Sequence, residues 1–423
     1  MLVAFALTNR ACFRDRQELS MEAVGRTADR FAFGTGVRQA PRLNRVAAIY
    51  GPNGGGKSRL VQGLAFAREF VLNSSKEGQA GEEIAHLPFL FDEVSRNSPT
   101  VLETAFIHDG SMYEYGFSLD RKRVHREWLL AWPPGGRMRR LLDRFLDPET
   151  GEPDCEFGPS VRGPKSLWRD STRPNALLVS TAVQLNSETF RPVVDWFRRL
   201  RIVDTDGLPP NFTGSDIAES EAYRKRVLGF LKAADISVAD VDVDKVETPL
   251  EELKEILPPA IYTRFAKDSE TIEGMKLRLV HKPSDGDPQA LDLEEESDGT
   301  QRYFSFAGPW LRSREHDLVV VVDELDRSLH PHLVASLVRH FNQQTDDGDS
   351  KAQLIATLHE VTLLQKDLDR GQVWLTQKER KTEAAYLKPV SDYRPRPDEA
   401  LMRGYLGGRY GGVPVVIAPE PRG

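Results

Sequence analysis

The chain has 423 residues, 39% of them hydrophobic and 29% charged, with 57 lysines and arginines against 64 aspartates and glutamates for a net charge of −7. That balance suits one large or two ordinary packed domains and argues against disorder, while the negative net charge excludes a protein that coats nucleic acid over its whole surface. The only cysteines, Cys12 and Cys155, show no CxxC or zinc spacing, which fits a reducing compartment without structural disulfides. No apolar stretch approaches the length of a membrane span, and Met1 to Asn9 reads as a strand rather than a signal peptide. A cytoplasmic location and no membrane partner are expected.

Val46-Ala47-Ala48-Ile49-Tyr50 is an apolar strand leading directly into Gly51-Pro52-Asn53-Gly54-Gly55-Gly56-Lys57-Ser58. These eight residues match the phosphate-binding loop G-x-x-x-x-G-K-[ST]. Glycines let successive backbone N–H groups curl round phosphate oxygens. Leu60, Leu64, Ala67 and Val71 recur at helical spacing behind the loop, so a helix aims its positive end at the same anion. Lys57 would reach the β- and γ-phosphates of ATP, and the Ser58 hydroxyl would hold Mg²⁺.

Asn73 to Glu83 reads as a loop. Val101–Ile107, Tyr113–Leu119 and Val124–Leu129 alternate as antiparallel strands, the first two joined by a hairpin turn at Asp109-Gly110. Residues 131–175, rich in Pro, Gly and Arg, read as a long, partly mobile loop region. Phe190, Val193, Val194 and Phe197 share one helical face. A further helix spans about Ser220–Ala233, and short strands follow around Ile236–Val243 and Met275–Val280. Arg121, Lys122, Arg123, Arg126, Arg137, Arg139, Arg140 and Arg144 crowd one segment, and Arg191, Arg198, Arg199 and Arg201 form a second group. Either is a solvated face or a surface for phosphate backbone or an acidic partner.

Downstream, Leu318-Val319-Val320-Val321-Val322 is a β-branched run suited to a parallel strand buried on both faces, ending in Asp323-Glu324. Asp323 would hold the metal, directly or through water, and Glu324 would polarise the attacking water. Ser328-Leu329-His330-Pro331 follows, and Gln353–Leu358 forms another strand with His359 at its tip. Before the acidic strand stands Glu296-Ser297-Asp298-Gly299-Thr300-Gln301-Arg302. Phosphate loop, Ser-x-Gly signature, Asp-Glu strand, D-loop and switch histidine are the parts of an ABC-type ATPase, and here they stand in that order.

On these motifs the chain resembles the ABC/SMC-related ATPases of the RecF-like and OLD-like group, also called AAA-15 or AAA-21 type, and Leu7-Thr8-Asn9-Arg10-Ala11-Cys12-Phe13-Arg14-Asp15 resembles the asparagine-led turn after the first strand in that group. Tyr405-Leu406-Gly407-Gly408-Arg409-Tyr410-Gly411-Gly412-Val413-Pro414 resembles the closing stretch of the ATPase partner in AbiL/Rlo-type abortive-infection pairs, and Pro99–Glu103 and Asn175–Ser180 are similar to that family too. Asp298 inside the signature and Glu360 after the histidine depart from its usual pattern, and no glutamine marks a Q-loop.

The resemblance implies an α/β fold: an ABC-type head with a mixed sheet core, flanking helices and an antiparallel β-subdomain, interrupted by a mainly helical lobe. Residues 1–130 and 271–423 would be the two halves of the head and 131–270 the lobe. Roughly 240 residues separate Ser58 from Ser297, punctuated by Pro133, Pro134, Pro148, Pro153, Pro174, Pro258 and Pro259, with no sustained heptads, which excludes long coiled-coil arms. About 64 residues follow His359, too few for the Toprim nuclease domain of OLD-type proteins.

The expected catalytic residues are Glu324, His359 and Lys57. Nucleotide contacts come from Gly51 through Ser58 and from Ser297 and Gly299, and metal contacts from Ser58 and Asp323. Ser297 and Gly299 would act across a head-to-tail homodimer, closed by ATP and opened by hydrolysis. The function implied is ATP-dependent phage defence with a separately encoded effector. A RecF-like DNA-repair or DNA-loading ATPase is the alternative, which leaves nucleic acid open as a partner, and a scaffold that holds ATP with little turnover is a third reading.

Overall fold

The computed structural model describes every residue except 24–29, 148–149, 152, 204–210, 254–270, 285, 344–349, 396–399 and 414–423. Pro148, Pro258, Pro259 and Pro414 therefore lie outside the described residues. Chain contacts divide the protein into two units. One comprises Met1–Thr205, Ser313–Asp326 and Leu337–Gly423; the other comprises Asp206–Arg312 and Arg327–Ser336. The sequence reading had set its boundaries at 130 and 270.

The first unit begins with β1 (Leu2–Thr8), β2 (Gln17–Ser20), the small hairpin β3 (Ala32–Gly34) and β4 (Arg42–Asn44), and β5 (Val46–Tyr50). Helices α1 (Lys57–Asn73) and α2 (Glu93–Arg96) follow, then β6 (Thr100–His108), β7 (Ser111–Leu119), β8 (Val124–Trp132), β9 (Arg139–Leu146) and β10 (Pro153–Phe157). Next come α3 (Lys165–Ser171), α4 (Leu178–Gln184), α5 (Arg191–Arg199) and β11 (Leu200–Val203).

The second unit holds α6 (Asn211–Glu219), α7 (Glu221–Lys232), β12 (Asp240–Pro249), β13 (Thr271–His281), β14 (Gln289–Asp292) and most of α8 (Asp298–Glu315). Its three strands form one antiparallel sheet. The chain then supplies β15 (Val319–Val322), α9 (Pro331–Asn342), β16 (Gln353–Thr357), β17 (Val373–Lys378), β18 (Ala385–Pro389) and α10 (Leu401–Leu406).

Two sheets build the first unit. The seven-stranded one runs β10-β9-β8-β7-β6-β1-β2 and is antiparallel throughout. The six-stranded one runs β11-β15-β16-β5-β17-β18, parallel except for β18. Periodicity explains the difference. Along β6, buried and half-buried residues alternate from Thr100 to Phe106. Every residue of β5, β15 and β16 is buried, because both faces of the parallel sheet are covered. One apolar core runs between the sheets and takes in Leu60, Leu64, Ala67 and Val71 of α1 with Val193, Val194 and Phe197 of α5. Asp109 (φ 47°) and Gly110 (φ 73°) turn β6 into β7 in the left-handed conformation that a tight hairpin requires. The mixed α/β architecture and the absence of long helical arms agree with expectation, for among the described residues no helix exceeds the 18 residues of α8.

One expectation fails. Residues 131–175 are not a long loop: β9 and β10 extend the antiparallel sheet and α3 follows. Of the prolines and glycines that suggested a loop, Pro133, Pro134, Gly135 and Gly136 sit between β8 and β9, and Gly158, Pro159, Gly163 and Pro164 between β10 and α3. In β9 the adjacent Leu141 and Leu142 are buried while Arg139 and Arg140 stay exposed; Leu129 pairs with Leu142 and Leu130 with Arg140, so alternation is broken at Leu141, which the register shift skips. Among the described residues no helix is long and apolar enough to cross a membrane. Cys12 and Cys155 are both free thiols.

Candidate functional site

Because β5, β15, β16 and β17 are parallel, their carboxyl ends gather at one edge of the sheet, where open α/β sheets bind ligands. Gly51 leaves β5 there. A Cβ on Gly51 would lie 2.3 Å from Thr376 Oγ1 and 2.5 Å from the Thr376 carbonyl oxygen, so only glycine fits against β17. The loop ends at Gly56 (φ 107°), the N-cap of α1, and this helix start has no side-chain cap and no acid in its first turn. Its amide end is thus left to an anion from outside the helix. Lys57 is buried and its Nζ donates to the carbonyl oxygens of Gly51 (2.7 Å) and Pro52 (3.4 Å). Burial pulls its pKa down, against the opposing pull of Asp323, Asp326 and Glu324.

A pocket of about 410 Å³ opens over this loop. Pro52 through Ser58 line it together with Glu324 and His359, so residues more than 260 positions apart in sequence meet at one cavity. Cys12, Arg59 and Lys378 complete its wall. None of these three carries a motif of its own. Lys378 ends β17, and only the pairing of β17 with β5 brings it to the loop; Cys12 belongs to the asparagine-led turn. Burial pushes the Cys12 thiol above the usual thiol value.

The acidic turn is pinned to the next strand. Asp323 is buried and its Oδ1 accepts the Thr357 hydroxyl at 2.6 Å. The Glu324 amide donates to Thr357 Oγ1 at 2.7 Å, and Glu324 itself has φ 51°. Asp326 Oδ2 accepts from the amides of His359 and Glu360, each at 2.5 Å. Among the described residues no group of three or more His, Cys, Asp or Glu side chains is arranged to hold a metal ion.

Ser297 and Gly299 are placed by the second unit. Ser297 Oγ accepts the Thr300 amide at 3.2 Å and so caps α8. A Cβ on Gly299 would sit 3.1 Å from the Ser328 carbonyl oxygen, in the segment after the acidic strand.

The closing stretch packs behind the phosphate loop. Tyr405 is buried with its ring 5.8 Å from that of Tyr50, whose hydroxyl donates to Glu360 O at 3.0 Å. The Gly412 amide donates to Gln377 Oε1 at 3.1 Å, and Tyr410 is fully buried. Asn9 (φ 50°) donates through its side chain to the carbonyls of Ser95 and Ser98, fastening the segment before β6.

Within the arginine-rich segment, Arg121, Lys122, Arg126, Arg137, Arg139 and Arg140 are exposed and Arg144 is buried. Arg126 and Arg140 meet Asp143, Arg140 also meets Glu156, and Arg144 is buried beside Glu127. In the second group, Arg191 pairs with Glu188 and Arg198 with Asp195.

Residues 46–365 match the family model described as "AAA domain, putative AbiEii toxin, Type IV TA system". The chain belongs to this family. The match spans the phosphate loop, the acidic strand and His359, and it makes the chain a nucleotide-binding ATPase domain of the AAA class. No curated protein matches it. Among solved structures, this AAA protein is similar to an SMC head bound to the C-winged helix domain of ScpA, at 10% identity and a TM-score of 0.45, with 92% of this chain and 97% of that one covered. It is similar to the SMC head domain from Thermotoga maritima at 13% identity and a TM-score of 0.39, covering 92% and 98%. The recombination mediator protein RecF-ATPrS of the RecFOR pathway follows at 12% and 0.30, covering 87% and 94%.

Proposed function

We propose that the pocket over Gly51–Ser58 binds ATP and hydrolyses it, and that hydrolysis acts as a switch on the shape of a homodimer. The observation that carries this reading is the meeting of Pro52 through Ser58, Glu324 and His359 at one cavity. The donor set suits a nucleotide: an uncapped helix start, a buried lysine and a loop whose first glycine admits no Cβ. The Ser58 hydroxyl and Asp323 carboxylate are hard oxygen donors of the kind that hold Mg²⁺ together with phosphates and water. Mg²⁺ bound there would neutralise charge on the β- and γ-phosphates.

In this scheme the Lys57 ammonium exchanges its loop carbonyls for the β- and γ-phosphates. Glu324 takes a proton from the attacking water, and His359, at the pocket wall, hydrogen-bonds the γ-phosphate. Ser297 and the Gly299 amide, at the start of α8, contact the γ-phosphate of a second protomer, which makes closure depend on ATP. The switch would hold or release a separately encoded effector in phage defence.

Glu324→Gln tests the chemistry. The amide keeps the shape of the carboxylate but cannot accept a proton, so ATP binding should persist while turnover falls by roughly 10² to 10⁴. Wild-type turnover in this variant would remove Glu324 from the mechanism. Stimulation of the wild-type rate by DNA would move the reading toward a DNA-loading ATPase, and tight ATP binding without phosphate release would move it toward a scaffold.

A further inference from the structure

We propose that Thr357 is a positioning residue for ATP hydrolysis, its single hydroxyl setting both acidic side chains of the Asp323-Glu324 turn; this rests on the hydrolytic reading above. Thr357 ends β16 and is fully buried. The parallel register pairs Val322 with Ala356, which puts Thr357 beside the first residue past β15.

The direction of each hydrogen bond follows from chemistry. An amide can only donate, so Thr357 Oγ1 accepts from Glu324 N–H at 2.7 Å. The hydroxyl proton then goes to Asp323 Oδ1 at 2.6 Å. The Thr357 carbonyl also accepts the Leu325 amide at 3.1 Å. One residue thus holds a side chain, an amide and a second amide on three successive positions.

The consequences differ for the two acids. For Asp323 the bond fixes the rotation of the carboxylate. For Glu324 it secures a backbone at φ 51°, a left-handed conformation that a glutamate seldom adopts and that aims its side chain at the pocket. Without the hydroxyl the turn has an alternative, to relax toward ordinary backbone angles and swing Glu324 away from the attacking water. Asp326 fastens the neighbouring His359 loop through its two amides, so the acids and the histidine are held from adjacent points of one edge.

The experiment compares Thr357→Val, which keeps the shape and deletes the hydroxyl, with Thr357→Ser, which keeps the hydroxyl. Phosphate release, ATP affinity by fluorescent-nucleotide titration, the Mg²⁺ concentration for half-maximal rate and melting temperature are read for each. Removing an outer partner of a metal ligand typically costs about 10- to 100-fold in metal affinity or activity. The valine variant should therefore lose kcat and shift its Mg²⁺ requirement by amounts of that order, with ATP affinity within about threefold. The serine variant should recover most of both.

Should the valine variant fail to fold, Thr357→Ala takes its place with the same expected losses. Valine and alanine variants with wild-type kcat per folded molecule, or a serine variant as slow as valine, overturn the proposal. A wild-type protein that releases no phosphate overturns the hydrolytic reading itself, and the positioning role falls with it.

Discussion

The two sheets of the first unit treat charge in opposite ways. In the antiparallel sheet Glu127 is fully buried, and its two oxygens accept from the Tyr115 hydroxyl and from the amides of Leu178 and Val179, with Arg144 at 3.5 Å. Every partner belongs to the fold, and the carboxylate fastens the start of α4 to β8. At the edge of the parallel sheet, Lys57, Glu324 and His359 face a cavity. A glutamate is structural in one place and faces a cavity in the other. What separates them is whether the donors that satisfy a group come from the protein or are left to a ligand.

Glutamine substitution sharpens that contrast most. Glu127→Gln would present an amide nitrogen to a ring of donors and leave Arg144 without its charge partner, at a cost of about 3–5 kcal/mol. Chemical denaturation should show that loss, with turnover per folded molecule unchanged. Glu324→Gln should do the reverse, stable and inactive. If Glu127→Gln proved as stable as wild type, the contrast would break at its structural end.

Leu64→Ala, in the helix that joins both sheets, should cost about 2–5 kcal/mol in the same assay. A smaller loss would mean that the core between the sheets relaxes around the gap. The closing stretch divides along the same line. Tyr410 is buried and Arg409 exposed, so Tyr410→Ala should lower the melting temperature. Arg409→Ala should change stability by no more than about 0.5 kcal/mol. Lost phage protection in the arginine variant, with ATPase activity intact, would assign it to effector coupling; retained protection would leave the stretch a packing role alone.

The smallest effect is expected from pH. Burial holds His86 and His108 below the usual histidine value. Between their folded and unfolded pKa values the unfolded chain binds more protons, so stability rises with pH through that window. It should be complete above about pH 6.5 and fall as the solution is acidified below it. A melting temperature that rose on acidification from pH 7 to pH 5.5 would contradict this.

Much of the pocket at the sheet edge was legible because its residues stand in short consecutive runs. Val46–Ser58 spells a strand, a loop and a helix start in consecutive residues, and Val319–Glu324 spells a buried strand with acids at its end. The helix over Glu221–Lys232 was bounded by Ser220, whose hydroxyl accepts the Tyr223 amide. What the sequence hid depends on distant partners. In β9, Arg140 finds Glu156 of β10 and Arg144 finds Glu127 of β8, and an isolated run of arginines does not announce those acids. Lys378 and Thr357 owe their place to strand order, with β16 and β17 flanking β5, which no local pattern records.

The central claim is that the pocket over Lys57 binds ATP through its phosphates. Calorimetric titration of the wild type and of Lys57→Ala with ATP and with adenosine addresses it directly. ATP should bind the wild type far more tightly than adenosine, and Lys57→Ala should lose most of that advantage, on the order of 10- to 100-fold for one charge-assisted contact at about 1.5–3 kcal/mol. Equal affinity of the two proteins for ATP, or equal binding of ATP and adenosine by the wild type, would contradict the account.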